Sequence, residues 1–596
     1  MQGSLSGISK EPAQVMPALD QPSENIAKTA PSLRTDFLLL GLLVLLELLL
    51  FAPFVGKVGF YLDDWTMVSL LHGGPQDIVG AFANYFFNDP KVIIRPVEVL
   101  HFGLLYKIFG TRPLGYHLVN GFFEICVIVL LYFALKRFTG SRFLAFASTA
   151  AFVIYPIRDS THYWILCSSV SLSLALYLGS LILSLKGLQE KKAKLYVAAA
   201  VPFAISLFNY EVFMPFACLS ALCVLLMSLR EDSFASSLRQ AIYSFIPLFV
   251  SALFLFGYQR FIVPRLGIGF LHKVDFDPGQ VLHVVAAGTG ISNIFAAMPF
   301  FQEQVSILLM NPLTGWNVLS LALILAGTAL TSFILLSAES GKVKLRTMLE
   351  LAVVGAAAIV TSLAIFGLNN QYEPTLLTLV NRIFTGASLG WSLIFSSLLL
   401  AAATVVFQKI KDKRIHKSAV VFLSLLLSFF AVFFTLVNWQ LANPWVVSQR
   451  AQQDVIYLMK GMRGKLKHPD AVILTDFPRY VMWSPVFDGT WDFQSMVRIV
   501  LNDPKIRAGV VCDRLVIGKD DIKDISVGYT CATFPLKNIK VFVPERNELI
   551  SVSSPQDFVD IAAAHSEKSI LSGDTLDKWR RQVAALSAAS SKSEEK

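Results

Sequence analysis

The sequence predicts an all-α polytopic membrane protein carrying a small α/β domain outside the membrane, and three observations lead there. Of 596 residues, 54% are apolar and only 16% charged, with a mean hydropathy of +0.58, more apolar surface than a soluble fold hides. About eleven runs approach the ~20 apolar residues that a hydrocarbon core of roughly 30 Å requires of a helix. Beyond residue 438 the charges rise, the apolar runs shorten, and short strands alternate with helical stretches.

Residues 1–35, rich in Ser, Pro, Gln and Ala, hold too little apolar surface to fold and read as a disordered cytoplasmic tail. The membrane domain follows over 36–438, with spans centred near residues 46, 126, 149, 175, 202, 220, 250, 327, 358, 397 and 428. The first, over residues 37 to 55, is too long for a signal-peptide core and is expected to stay as an anchor. Lysine and arginine collect in every second connection: Lys136, Arg137 and Arg142; Lys186, Lys191, Lys192 and Lys194; Arg230 and Arg239; Lys342, Lys344 and Arg346; Lys409, Lys411, Lys413 and Arg414. Short cytoplasmic loops concentrate these residues. The N terminus is therefore expected in the cytoplasm, with the connection after the first span and the C-terminal domain outside a plasma or inner membrane. The net charge of +9 follows from this topology and calls for no nucleic-acid partner, only membrane lipids.

The first outer connection carries Asp63 and Asp64 within Phe60-Tyr61-Leu62-Asp63-Asp64-Trp65. Adjacent carboxylates repel, so one is driven toward its neutral form or a cation sits between them; a solvated acidic turn is the plainer alternative. Ile78, Val79, Phe82, Tyr85 and Phe86 share one face of a helix over 76–88. After Arg95-Pro96, a second periodic run places Val97, Leu100, Leu104, Leu105 and Ile108 together, with Glu98, His101 and Lys107 elsewhere on the wheel. Both helices should lie in the membrane surface, roofing a cavity for a substrate with a lipid tail and a polar head; a structural re-entrant hairpin is the alternative. Glu47 and Glu124 fall inside spans, where an ionisable group is functional or paired by default, and an interhelix hydrogen bond is expected of them.

The exported segment reads as an α/β domain over 439–575 and a polar tail over 576–596. A helix is expected over 448–467, ended by Pro469, and strands over 471–474, 509–512 and 539–543. Asp476, Asp488 and Asp492 interleave with Trp483, Trp491 and Phe493; aromatic faces beside carboxylates suit a sugar, and an ordinary domain surface is the alternative. Cys512 and Cys531 either form a disulfide closing a loop of about 20 residues, worth roughly 3 kcal/mol, or stay reduced in the core.

The acidic pair, the two interfacial helices, Arg95-Pro96, and Gly110-Thr111-Arg112-Pro113-Leu114-Gly115-Tyr116-His117-Leu118-Val119-Asn120 entering the second span together resemble the GT-C superfamily of polytopic glycosyltransferases. That superfamily includes protein O-mannosyltransferases and bacterial lipopolysaccharide sugar transferases. Tyr155-Pro156-Ile157-Arg158-Asp159-Ser160-Thr161-His162-Tyr163-Trp164 is similar to the segment after the third span in several members, departing at Ser160, where glutamate is usual, and at Tyr155, where histidine is. The resemblance covers residues 37 to 215. It implies a GT-C-like fold and transfer of a sugar, with inversion, from a polyprenyl-phosphate donor on the outer face to a protein, lipid or glycan acceptor.

Under that reading Asp63 is the expected base, while Asp64 holds the acceptor, orients Asp63 or ligates a divalent cation, the one candidate cofactor. The leaving phosphate needs cations: Arg95, Arg158, His162, Arg260, Arg265, His272, Lys273 and Arg382 are candidates, Arg382 foremost because arginine grips phosphate oxygens in a fork. Snorkelling to lipid headgroups is the alternative for each arginine. Glu211, at the outer junction of the fifth and sixth spans, is a second acidic candidate. A transporter or flippase of lipid-linked sugars, without transfer chemistry, is the competing class; it calls for broken helices and internal repeats, and no repeat is found.

Overall fold

The computed structural model describes residues 33–75, 77–89, 92–266, 277–310, 314–339, 343–368, 373–377, 379–410, 412–466, 468–526, 529–565, 567–568 and 573–594. His272, Lys273 and Asp275 lie outside the described residues. Among those described, nine helices are long and apolar enough to cross a membrane. The runs centred at 149 and 202 also form helices, Arg142–Ile154 and Ala193–Asn209, of 13 and 17 residues. The first of these stops where Pro156 biases Tyr155 out of the helical region, and Tyr155 is extended with ψ 117°.

Where lipid replaces water outside the bundle, apolar side chains gain little by leaving it, so close approach and interhelix hydrogen bonds hold helices together. Helices Ser168–Glu190 and Ala193–Asn209 exchange bonds in this way: Ser173 Oγ donates to the Ser206 carbonyl at 2.9 Å and Ser206 Oγ to the Ser173 carbonyl at 2.8 Å. Helices Leu345–Ala364 and Thr385–Lys409 cross through glycines. A Cβ on Gly355 would stand 2.6 Å from the Gly390 carbonyl oxygen, and one on Gly390 would stand 2.4 Å from that of Gly355.

The first connection folds into three short helices, Asp63–Gly73, Ile78–Asn88 and Pro96–Phe109. In the last, Leu100, Leu104 and Ile108 form an exposed stripe, while Glu98, Val99, His101 and Phe102 are buried. The polar residues thus face protein and the apolar stripe faces outward, as suits a helix whose solvent is lipid.

Following the chain through its alternating spans brings four points to one end of the bundle: the exit of Leu33–Val55, the start of Ser168–Glu190, the exit of Ala193–Asn209 and the start of Thr385–Lys409. The last span leaves at that end too. It is a single 49-residue helix, Lys413–Gly461, which absorbs most of the helix expected over 448–467 and runs through residue 439, where the composition changes.

Beyond it lies a four-stranded sheet in the order Arg507–Val510, Ala471–Leu474, Ile539–Val543, Glu548–Ser551. The first three strands are parallel and the fourth is antiparallel. Ala471–Leu474 is buried throughout, the apolar run of a parallel strand covered on both faces. A second, antiparallel sheet holds Leu515–Ile517, Asp521–Ser526 and Tyr529–Pro535. Cys512 is buried and Cys531 half-buried, and no disulfide joins them.

This domain packs on the membrane body through the helix that begins with Asp63. Trp65, Met67, Val68 and Leu71 belong to the same apolar core as Phe487, Phe493 and Val497, and Thr66 Oγ1 donates to the Trp491 carbonyl at 3.2 Å.

Candidate active site

The turn before helix Asp63–Gly73 is strained and tied from several sides. Leu62 adopts φ 48°, a left-handed conformation that costs a bulky residue roughly 1–3 kcal/mol. Asp64 supplies the restraint. Its Oδ2 accepts from the Tyr61 amide at 2.9 Å and its Oδ1 from the Leu166 amide at 3.0 Å, while its own amide donates to the Tyr61 carbonyl at 3.0 Å. Trp164 Nε1 donates to that carbonyl at 3.1 Å, and the Tyr61 hydroxyl donates to the Trp445 carbonyl at 2.6 Å. Asp64 is fully buried, and burial pushes its carboxyl well above the usual carboxylate range, with Asp63 adding to the rise.

The turn leaves Asp63 half-buried on the wall of a cavity of about 310 Å³. Arg95, Arg382, Glu98, Asp89, Tyr85, Trp164 and Tyr210 also line it. Arg95 forks onto Glu211, Nε to Oε2 at 2.8 Å and Nη2 to Oε1 at 2.7 Å, and lies 4.4 Å from the Tyr210 ring centroid. This bidentate geometry fixes the guanidinium plane. Arg382 donates through Nη1 to the Leu379 carbonyl at 2.7 Å and lies 4.9 Å from the Trp164 ring centroid.

The residue before it anchors the segment. Asn381 Nδ2 donates to Asp159 Oδ1, and Ser160 Oγ donates to Asn381 Oδ1; Asp159 Oδ2 accepts from Trp445 Nε1 at 2.8 Å. Trp445 meets both Tyr61 and Asp159, so one network reaches the turn that carries Asp63 and the segment that carries Arg382.

Of the residues singled out in the sequence, Asp63, Arg95 and Arg382 come together on the cavity wall, with Glu211 behind Arg95. Asp64, Arg158 and His162 lie outside its lining. Arg158 is fully buried, donating to Glu124 Oε2 at 2.9 Å and resting 4.3 Å from the Phe152 ring centroid. His162 Nδ1 stands 3.9 Å from Glu47 Oε1. Glu47, Glu124 and His162 are the described side chains that could hold a metal ion together. Arg158 already balances Glu124, leaving the Glu47 carboxyl to be answered by a cation or a proton.

Arg260 and Arg265 are exposed and do not reach the cavity. Nor do the aspartates of the C-terminal domain. Asp492 accepts from the Asp488 and Gly489 amides at 2.7 and 3.0 Å, and Asp488 pairs with Arg479 at 2.5 Å.

Glu98 and Asp89 were not proposed from sequence as site residues. For Glu98 the signal was present, since a carboxylate on a helix whose apolar stripe meets lipid must turn toward protein.

No family model matches this sequence. Over 109 residues it is 31% identical to the protein O-mannosyl-transferase Tmtc1 of Drosophila melanogaster, a match spanning 17% of this chain and 13% of that protein. Among solved structures, ArnT from Cupriavidus metallidurans bound to undecaprenyl phosphate overlays with a TM-score of 0.36 at 12% identity, over 80% of this chain and 90% of that one. Its apo state overlays at 0.38 and 12% identity, over 79% and 86%. The oligosaccharyltransferase of Archaeoglobus fulgidus, in complex with zinc and sulfate, overlays at 0.36 and 13% identity, over 79% of this chain and 61% of that one.

Proposed function

We propose that the protein is a membrane glycosyltransferase of the GT-C type, moving a sugar from a polyprenyl-phosphate donor to an acceptor hydroxyl on the outer face of the membrane. One observation carries this reading: a half-buried carboxylate and two braced guanidiniums share a cavity at the end of a helical membrane bundle. The short segment similar to an O-mannosyltransferase supports it.

Asp63 takes the acceptor proton as the acceptor oxygen bonds to the anomeric carbon, a contribution of about 10² to 10⁴-fold for a positioned base. The anomeric carbon's bond to the phosphate oxygen breaks, and the electron pair leaves on the phosphate, where Arg382 and Arg95 meet the developing charge. A single displacement inverts the anomeric centre. Asp64 acts through Asp63 by holding its turn. The C-terminal domain acts in the same way, by backing the helix that Asp63 begins.

The test uses the full chain in lipid nanodiscs with polyprenyl-phosphate hexoses and pentoses, following release of polyprenyl phosphate with added acceptors. Asp63→Asn should lower turnover by about 10² to 10⁴-fold with insertion unchanged. Full turnover in that variant would remove the base. Movement of intact donor across the bilayer without consumption would favour a flippase.

A further inference from the structure

Among the ionisable side chains of the cavity that the transfer step does not use, Glu98 is the buried one with an unpartnered oxygen. Glu98 lines the cavity and is 4% exposed. Its Oε2 makes no hydrogen bond to any described residue. Arg95 Nη1 stands 3.6 Å from that oxygen, but the Arg95 fork is aligned on Glu211. One guanidinium therefore serves two carboxylates, and Asp63, Asp89 and Arg382 line the same cavity.

Glu98 itself is shifted toward its neutral form by its surroundings. Burial is the largest influence and pushes its carboxyl up to about 8, with Glu211 and Asp89 adding to the rise and Arg95 opposing it. Tyr85, from the neighbouring helix, faces the same space as a neutral phenol held there by burial.

We propose that Glu98 is a further catalytic residue, whose neutral carboxyl donates a hydrogen bond from Oε2 to a phosphate oxygen of the polyprenyl-phosphate carrier. The inference rests on the function proposed above and extends it. During transfer the acceptor proton passes to Asp63 and the electron pair of the breaking bond passes to the phosphate. Glu98 keeps its proton, and its hydrogen bond strengthens as the phosphate gains charge. Base and hydrogen-bond donor thus fall to different carboxyls lining one cavity.

Binding of undecaprenyl phosphate to the full-length protein in nanodiscs, followed from neutral to alkaline pH, tests this without knowledge of sugar or acceptor. In the wild type, affinity should hold up to about pH 8 and then fall, approaching tenfold per pH unit, as Glu98 loses its proton. Glu98→Gln keeps an N–H donor but cannot ionise, so binding should weaken about threefold at neutral pH and the alkaline fall should vanish. Glu98→Met removes both charge and donor; it should bind roughly tenfold more weakly, also without the fall, and serves if the Gln variant does not fold. An unchanged alkaline fall in either variant, or Glu98→Met binding as tightly as the wild type, would overturn the assignment and leave the proposed function standing. A wild-type protein that does not bind undecaprenyl phosphate at any pH would sink the carrier reading of the cavity, and Glu98 with it.

Discussion

At Asp64 both carboxylate oxygens are taken by backbone amides, from Tyr61 on one side and Leu166 on the other, whereas Asp63 opens onto the cavity. The two residues separate in role because a helix start turns successive side chains about 100° apart. Asp64→Ala should strand two buried donors and cost about 1–3 kcal/mol for each, read as a lower thermal midpoint. Asp64→Asn keeps an acceptor and should lose less. Arg382→Lys retains the charge but not the planar fork or its stacking on Trp164, so it should raise the KM for the lipid donor about tenfold with a smaller change in kcat. Asp159→Ala would release both Asn381 and Trp445. Its signature should be the same KM increase as Arg382→Lys, since it acts by freeing the Arg382 segment; a drop in stability without a KM change would assign Asp159 to the fold alone.

Among the helices, contact between glycines and orientation toward lipid set the constraints. Gly390→Val would push a side chain into the backbone of Leu345–Ala364, and overpacking of this kind costs roughly 1–3 kcal/mol or more. Gly327→Ala, with nothing within 4 Å of the added methyl, should leave the thermal midpoint near that of the wild type. The helix Pro96–Phe109 was legible in the sequence as a short amphipathic element following Arg95-Pro96. What its polar face meets was not. The stripe of Leu100, Leu104 and Ile108 is exposed as a membrane-surface helix requires, but periodicity does not report which distant residues the buried face meets, and Glu98 was passed over for this reason.

For the molecule as a whole, the long final helix and the shared apolar core make the C-terminal domain part of the site's support. A chain ending at residue 461 would expose Trp65, Met67, Val68 and Leu71; it should insert poorly and show no turnover. Single cysteines placed at the exposed positions Arg260 and Lys192 should label with an impermeant reagent from opposite sides of the membrane, and labelling of both from one side would contradict the proposed topology. Hydropathy and residue spacing by themselves determined the run of apolar helices, the strands at 471–474 and 539–543, and the prominence of the Asp63–Asp64 pair. Those features depend on composition and on spacing along a single element. Only the tertiary structure decided which candidates meet. Arg95 joins Glu211 across 116 positions of chain, and Asp159 joins Trp445 across 286, while Arg158, only one residue from Asp159, turns away to Glu124. Partners so distant in sequence are chosen by how spans pack and by the need to pair buried charge, and neither leaves a local pattern to read.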